Sequence, residues 1–266
     1  MRNVPIKRNV KETNPGATNS LERALRLLEV VGKTPGGLTN ANIARRLQIA
    51  SSSCSYILSR LEREGYVTRD LSSARYEIGP KVVTLAHYAL RELGFYEIAR
   101  PTLHRLATES GLTAGIAILQ RDQVLIIDQV ESPQFIKLET TIGTQLPVHT
   151  NSLGKVLLAY LPRPELLAVL KRVGLAPRTS KTITNVDKFL AELELVKKRG
   201  YATSNEEQFV GARALGAPIT NSEGTVVASI SVVGSTSQSV WKRTDELVEL
   251  VRAAAREISR SGRFRL

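Results

Sequence analysis

The chain has 266 residues, of which 42% are hydrophobic and 23% charged, and its formal net charge is +12. This length suits two domains, the composition is that of a globular protein, and the basic excess favours a polyanionic partner such as nucleic acid. The single cysteine, Cys54, excludes an intramolecular disulfide and a zinc finger. The sequence shows no secretory signal and no run approaching 18 apolar residues, so we expect a cytoplasmic protein without a membrane span, a metal or another cofactor.

The positive charge is densest near the start of the chain. Residues 1–80 hold 13 Lys and Arg against 7 Asp and Glu, a net of +6, while residues 81–266 hold 24 against 18, also +6. Residues 1–18 are rich in Lys, Arg, Asn, Pro and Gly and are expected to form a disordered basic tail. The tail either follows DNA phosphates or is an untethered terminus, and we favour the second interpretation.

Helical periodicity predicts three helices over residues 19–64. The first runs from a cap at Asn19 or Ser20 to Val31, with an apolar stripe of Leu21, Ala24, Leu25, Leu28 and Val31. The second, residues 41–47, follows a cap at Thr39 or Asn40 and leaves Arg45 and Arg46 pointing outward. A turn through Gln48 and Ile49 leads to the third, residues 51–64, whose apolar face is Cys54, Ile57, Leu58 and Leu61.

The opposite face of the third helix carries hydroxyl and basic side chains. Such groups contact phosphates and base edges when a helix enters a DNA groove, although serines also cap and solvate helix starts. The two preceding helices favour the DNA-reading interpretation. After Gly65, short alternating strands at 66–69 and 75–78 flank a turn at 70–74, the layout of a winged helix-turn-helix domain over residues 19–80. The predicted DNA contacts are Thr39, Arg45, Arg46, Ser51, Ser52, Ser53, Ser55, Tyr56, Arg60, Arg69 and Arg75.

The rest of the chain is predicted to form a helix followed by an α+β domain. Residues 81–95 contain a linker or dimerisation helix with the stripe Val82, Leu85, Ala86, Ala89, Leu90 and Leu93. Residues 96–266 are predicted to contain helices at 96–109, 152–159, 165–173, 186–199 and 244–260, and strands at 112–119, 124–130, 135–141, 214–220 and 226–233. This order is typical of a mixed or antiparallel sheet with helices over one face and room for a small-molecule pocket.

One helix start in this domain predicts an anion site. Thr150, Asn151 and Ser152 lie at the start of the helix at 152–159, Gly154 permits close backbone approach, and the free N–H groups of a helix start favour a carboxylate. Leu146 and Val148 are expected to supply apolar walls. The alternative is that Ser152 only caps the helix. Arg213 pairs either with an acid or with Glu206 or Glu207 at the surface, and we favour the surface pair.

A resemblance adds to this interpretation. Residues 200–221, GYATSNEEQFVGARALGAPITN, resemble the signature of the IclR family of bacterial transcription regulators at Gly200, Ser204, Glu207, Ala214, Leu215, Gly216, Ile219 and Asn221. Residues 146–162 and the segments SLERALRLLEVV and EREGYVTRD are also similar, so the resemblance covers about residues 19–260. Thr220 replaces the usual aromatic residue or His. Tyr56 stands where the family often has Arg, after Ser52-Ser53 in place of its Ser-Thr pair.

The resemblance implies a two-domain α/β protein with an N-terminal winged helix-turn-helix, a linker helix and a C-terminal α+β, GAF-like effector-binding domain. It also implies dimers or dimers of dimers on palindromic double-stranded operators, and a small organic or aromatic acid as the effector. By family position, the effector site gains Ser204, Glu207, Ala212, Ala214, Ile230 and Ser231 beside Leu146, Val148, Asn151, Ser152 and Gly154.

The predicted function is therefore that of a ligand-responsive, non-enzymatic transcriptional regulator of a catabolic operon. One alternative is a constitutive DNA-binding protein whose C-terminal domain serves only oligomerisation. The other is an enzyme, for which the sequence offers no nucleophile elbow, P-loop or metal motif. The sequence does not distinguish repression from activation.

Overall fold

The computed structural model describes residues 19–132 and 140–261, and the chain divides into two compact units, Met1–Ala89 and Leu90–Leu266. The predicted tail at 1–18 and residues 135–139 of the predicted strand at 135–141 lie outside the described ranges. Within those ranges, no helix is long and apolar enough to cross a membrane.

The first unit is a winged helix-turn-helix, which confirms the predicted fold. Its elements are α1 Ser20–Gly32, β1 Leu38–Thr39, α2 Asn40–Leu47, α3 Ser51–Arg63, β2 Val67–Arg69, β3 Arg75–Ile78 and α4 Lys81–Glu92, whose last residues belong to the second unit. The three strands form an antiparallel sheet in the order β1-β3-β2. The strand β1 was not predicted because two residues are too few to show a period; Leu38 pairs there with Tyr76.

The helix α1 buries part of the predicted stripe, together with Leu27. Val31 is buried, and Ala24 and Leu28 pack against the core of the first unit as predicted, whereas Leu21 and Leu25 are 67% and 56% exposed. The inclusion of Leu21 and Leu25 in the buried stripe is wrong, because the buried face of the helix is centred on Leu27 and Val31 and these two residues lie to one side of it. None of the side chains of α4 is buried either. The first unit therefore exposes apolar side chains on α1 and α4.

The second unit is an α+β domain around one antiparallel sheet of six strands. Its helices are α5 Tyr96–Ser110, α6 Ser152–Ala159, α7 Arg163–Val173, α8 Val186–Arg199 and α9 Thr244–Ser261, with a short 3-10 helix at Ser239–Arg243. Its strands are β4 Thr113–Gln120, β5 Gln123–Val130, β6 Gln145–Pro147, β7 Ala202–Asn205, β8 Ala212–Thr220 and β9 Val226–Ser235, in the order β6-β5-β4-β9-β8-β7. The short strands β6 and β7 and the 3-10 helix were not predicted.

Helices cover both faces of this sheet, not one face as the sequence pattern suggested. On the face that we call the apolar face, Ile116, Leu215, Ile230 and Val232 pack with α5 and α9. On the other, which we call the cavity face, Ala117, Val124 and Ile126 pack with α6, α7 and α8. Because side chains alternate along a strand, each strand contributes to both faces, and the cavity face also carries Gly115, Gly216 and Ser231.

Candidate DNA-binding surface and effector cavity

The turn between α2 and α3 leaves the start of α3 open. Gln48 ends α2 in the left-handed region with a φ of 56°, the conformation that commonly ends a helix. Ala50 stands at the N-cap of α3 and makes no side-chain capping bond. The first N–H groups of α3 therefore have no acceptor within the helix or from its cap, and with the positive end of the helix dipole they favour a phosphate.

The predicted recognition face of α3 is exposed. Ser51, Ser52, Ser55 and Arg60 are exposed, and Ser53 is half-buried. Tyr56 is 60% exposed, and the Arg60 guanidinium lies 5.2 Å from its ring centroid. This cation–π contact holds a flat aromatic side chain and a charge side by side on the recognition face. Cys54 is on the opposite, buried face, where burial raises the pKa of its thiol, so it packs as a small apolar residue.

The predicted DNA-contacting residues on α2 and at its cap already make hydrogen bonds within the first unit. Thr39 caps α2 and accepts a hydrogen bond from Asn42 N at 3.4 Å. Arg45 donates to Asn42 Oδ1 at 2.8 Å, and Arg46 donates to Thr34 Oγ1 at 2.9 Å. Both guanidiniums are exposed, and each keeps further N–H donors for phosphates.

The hairpin of β2 and β3 is the wing of the first unit, and Asp70 holds the turn at its tip. Its Oδ1 accepts hydrogen bonds from Ser72 N at 2.7 Å, Ser72 Oγ at 2.6 Å and Ser73 N at 3.0 Å, which lower the pKa of the carboxyl to about 2. Arg69 lies over the ring of Tyr76 at 5.7 Å. Arg75 donates to the carbonyl of Gly37 at 3.0 Å, so this side chain is tied to the base of the wing.

A cavity opens on the cavity face of the second unit. Seven of the eleven predicted effector residues line it, namely Leu146, Asn151, Ser152, Ser204, Ala212, Ala214 and Ser231. The lining residues that the prediction missed include Thr113, Gly115, Ile126, Gln129, Thr140, Leu153, Gln208, Phe209 and Val233.

The start of α6 forms one end of this cavity. Asn151 caps the helix, because its Oδ1 accepts from Gly154 N at 2.9 Å while its Nδ2 donates to Pro147 O at 2.7 Å. Ser152 Oγ is buried and has no hydrogen-bond partner among the described residues. The hydroxyl of Ser204 donates to Thr150 O at 3.0 Å.

A glycine brings the sheet close to the start of α6. Gly216 pairs with Ser231 across β8 and β9, and a Cβ on Gly216 would lie 3.2 Å from Ser152 Oγ. Ser152 thus lies against Gly216, with Ser231 beside Gly216 on the same face of the sheet, and we call these three residues the serine cradle. With the free N–H groups of the first turn of α6, the cradle offers several donors to one small anion.

Four predicted effector residues do not line the cavity. Ile230 faces the apolar face, because it neighbours Ser231 and side chains alternate along β9. Val148 packs in the core beside α6, and a Cβ on Gly154 would lie 2.1 Å from Val148 O, so Gly154 allows a close chain crossing. Glu207 is buried against Lys155, with a distance of 2.7 Å between its Oε1 and the lysine Nζ. The prediction that Ile230 lines the cavity is wrong, because a shift of one residue along a strand moves a side chain to the opposite face of the sheet.

The favoured surface pair of Arg213 is also wrong. Its guanidinium lies over Trp241 at 4.9 Å and donates to Thr244 Oγ1 at 3.3 Å. Glu206 pairs with Lys181 and Glu207 with Lys155. Since Arg213 alternates with Ala212 and Ala214 on β8, it borders the cavity through its backbone.

Comparisons with known proteins agree with this architecture. The family model described as "IclR helix-turn-helix domain" matches residues 20–71, and the one described as "Bacterial transcriptional regulator IclR C-terminal" matches residues 87–260. The chain belongs to the IclR family of bacterial transcriptional regulators. The enzyme alternative is therefore excluded, because the family and its curated members are regulators.

Three relatives illustrate how far the IclR likeness extends. The HTH-type transcriptional regulator BhcR of Paracoccus denitrificans is 34% identical over 244 residues, 92% of this chain and 87% of that protein. The crystal structure of Thermotoga maritima IclR has a TM-score of 0.76 and 31% identity, covering 91% of this chain and 97% of that one. A double mutant of the PobR inducer-binding domain from Acinetobacter, in complex with 3-hydroxybenzoic acid, has a TM-score of 0.58 and 29% identity, covering 62% and 98%.

The IclR signature at residues 200–221 coincides with one side of the cavity. It contributes Ser204 from β7, the loop residues Gln208 and Phe209, and Ala212 and Ala214 from β8. The same segment places Glu207 against Lys155 of α6. The signature thus marks the wall that faces the start of α6.

Proposed function

We propose that this IclR-family protein regulates a catabolic operon and changes its affinity for a palindromic operator when a small organic or aromatic acid occupies the cavity. The observation that carries the proposal is Ser152 Oγ, which is buried in the lining of a cavity at a helix start and has no hydrogen-bond partner within residues 19–132 and 140–261. A buried polar atom without a hydrogen bond costs about 1–3 kcal/mol. A ligand carboxylate that accepts from Ser152 removes this cost.

The composition of the cavity favours an acid with an apolar body. The serine cradle and the start of α6 supply donors at one end. Ile126, Leu146, Phe209 and Val233 contribute apolar side chains elsewhere in the lining, while Gly115, Ala212 and Ala214 leave space. A carboxylate attached to an aromatic ring or a short acyl chain fits this division. The bound 3-hydroxybenzoic acid of the PobR domain is an acid of this kind.

The first unit supports operator binding by a pair of chains. The exposed face of α3, its open helix start and Arg45 and Arg46 suit a major groove and its phosphates. Leu21 and Leu25 on α1, with Val83 and Tyr88 on α4, are exposed apolar residues that a second copy of the chain would cover. A dimer, or a dimer of dimers, matches the symmetry of a palindromic site. We place this activity in the cytoplasm, where bacterial regulators meet the chromosome.

Operator binding with and without acids tests this function. The DNA is a palindromic duplex selected from random sequences, and the acids are 3-hydroxybenzoate, 4-hydroxybenzoate, benzoate, pyruvate and acetate, which we call the acid panel. We expect at least one acid to change operator affinity about tenfold, as measured by fluorescence anisotropy. Operator affinity unaffected by every acid would favour the constitutive alternative.

Matched variants separate the two halves of this function. Tyr56→Ala, Ser53→Ala and Arg45→Ala are expected to lose operator binding while the acid still binds. Ser152→Ala and Ser204→Ala are expected to keep operator affinity and lose the response to the acid. Normal operator binding by both Tyr56→Ala and Ser53→Ala would show that α3 is not the recognition helix.

A further inference from the structure

A buried lysine lies behind the cavity and does not line it. Lys155 is on α6, three residues after Ser152, and is 1% exposed. Its Nζ donates to Glu207 Oε1 at 2.7 Å and to the carbonyl of Thr203 at 3.1 Å. It also lies 3.8 Å from Glu192 Oε1, which Arg199 holds at 2.9 Å.

Each direct acceptor of Lys155 is next in sequence to a residue that lines the cavity. Thr203 precedes Ser204 on β7, and Glu207 precedes Gln208 in the loop between β7 and β8. One ammonium group therefore connects α6 to two separate parts of the opposite wall. Gln208 in turn contacts the hydroxyl of Thr150, just before α6.

Glu207 depends on Lys155 to compensate its charge, whereas Lys155 has a second carboxylate, Glu192, nearby. Glu207 Oε2 is buried and has no partner among the described residues, so Lys155 supplies the main charge that compensates this carboxylate. Burial raises the pKa of Glu207, while the neighbouring ammonium opposes that rise. A buried ion pair of this kind is weak support for stability, because apolar replacements of both partners are often neutral.

We propose that Lys155 is a positioning residue for the effector cavity, which through Glu207 and Thr203 sets the spacing between the start of α6 and the wall formed by Ser204 and Gln208. The inference rests on the proposed function and adds a determinant of acid affinity that does not touch the acid. The Lys155–Glu207 pair then controls affinity more than it controls folding.

A double-mutant cycle in the full chain tests this role. Lys155→Met, Glu207→Gln and the double variant are compared by thermal unfolding and by calorimetric titration with the acid panel. Lys155→Met leaves the buried Glu207 carboxylate without its ammonium partner, and Glu207→Gln leaves Lys155 with only the more distant carboxylate of Glu192 at 3.8 Å, so each single variant is expected to lower the melting temperature. The double variant is expected to recover most of that loss while its acid affinity stays at least tenfold below wild type. Affinity that recovers together with stability would overturn the proposal.

Lys181→Met is the matched control, because it breaks the exposed pair with Glu206 in the same loop. We expect this variant to keep the wild-type acid affinity within about twofold. A loss equal to that of the double variant would mean that any charge removed near the loop has the same effect, and would also overturn the proposal.

A thiol probe keeps the test independent of the identity of the acid. Ala214→Cys places a thiol in the cavity lining, and the chain's own Cys54 is buried in the first unit. We expect iodoacetamide to label this thiol at least fivefold faster in the Lys155→Met/Glu207→Gln background than in the Lys181→Met background. Equal rates would overturn the positioning role. If no acid binds the wild type, the proposed effector class fails, and the labelling rates still decide the role of Lys155.

Discussion

Ile230 and Ser231 are neighbours on β9, but they face opposite sides of the six-stranded sheet. Ile230 packs with Leu215 and Val232 under α5 and α9, in a layer of apolar side chains. Ser231 belongs to the cavity face, where Ser152 is buried without a hydrogen-bond partner in the described part of the chain and Lys155 is buried against Glu207. Close packing on one face stabilises the domain, and incomplete polar pairing on the other leaves donors for a ligand. Stability and acid affinity should therefore separate according to the face that is changed.

The largest effect on stability is expected on the apolar face. Ile230→Ala removes a fully buried side chain and should lower the free energy of unfolding by about 2–5 kcal/mol. Urea denaturation measures this loss, and titration with the acid panel under conditions where the variant is folded should give an affinity close to that of wild type. A loss of affinity with little loss of stability would reverse the assignment of the two faces.

A change in α6 behind the cavity should affect both the stability of the domain and its affinity for the acid. A Cβ at Gly154 would lie 2.1 Å from the carbonyl oxygen of Val148, so Gly154→Ala must displace the first turn of α6. We expect a loss of about 1–3 kcal/mol in unfolding free energy together with weaker acid binding. Gly32→Ala is the control, because its Cβ would make only an ordinary 3.4 Å contact with Ile78. A Gly154→Ala variant as stable and as tight-binding as the control would contradict the close crossing.

The smaller change on the cavity face should affect affinity alone. Ser231→Ala keeps the packing of β9 and removes one donor of the serine cradle. The unfolding free energy should stay within about 1 kcal/mol of wild type, since few contacts are lost. Acid affinity should fall about tenfold, a difference of about 1.4 kcal/mol. Calorimetry and urea denaturation on the same preparation would show whether the two quantities separate as expected.

The wing of the first unit contains a polar cluster that is exposed, in contrast to the buried polar groups of the cavity face. Asp70 is fully exposed, and its bonds to Ser72 and Ser73 lower its pKa to about 2. Because the folded pKa is below the unfolded value of about 3.9, its contribution to stability is present above pH 4 and is lost as the pH falls towards 2. A carboxyl titration by NMR should show this low midpoint in the wild type and a higher one in Ser72→Ala. Identical midpoints near 4 would show that the turn is not held by these bonds.

The sequence predicted some secondary-structure elements and site residues correctly and missed others, for physical reasons that differ from case to case. Helix α6 was predicted with the correct bounds because apolar spacing is a local signal, whereas its cap is Asn151 and not Ser152, the predicted alternative. Ile230 was misplaced because a shift of one residue on a strand exchanges the two faces. Phe209 and Gln208 were missed because their loop has no period. In α1 the apolar spacing placed Leu28 and Val31 correctly, but it does not show that Leu21 near the helix start is exposed. The partners of Lys155 could not be predicted, since 48 and 52 residues separate it from Thr203 and Glu207.

Calorimetric titration of the acid panel into the wild type, Ser152→Ala and Ile230→Val tests the central claim most directly. We expect at least one acid to bind the wild type with one site per chain, and to bind Ser152→Ala at least tenfold more weakly. Ile230→Val, on the apolar face, should bind that acid within about twofold of wild type. Equal affinity in Ser152→Ala and wild type, or no binding of any acid to the wild type, would contradict the assignment of the cavity face as the effector site.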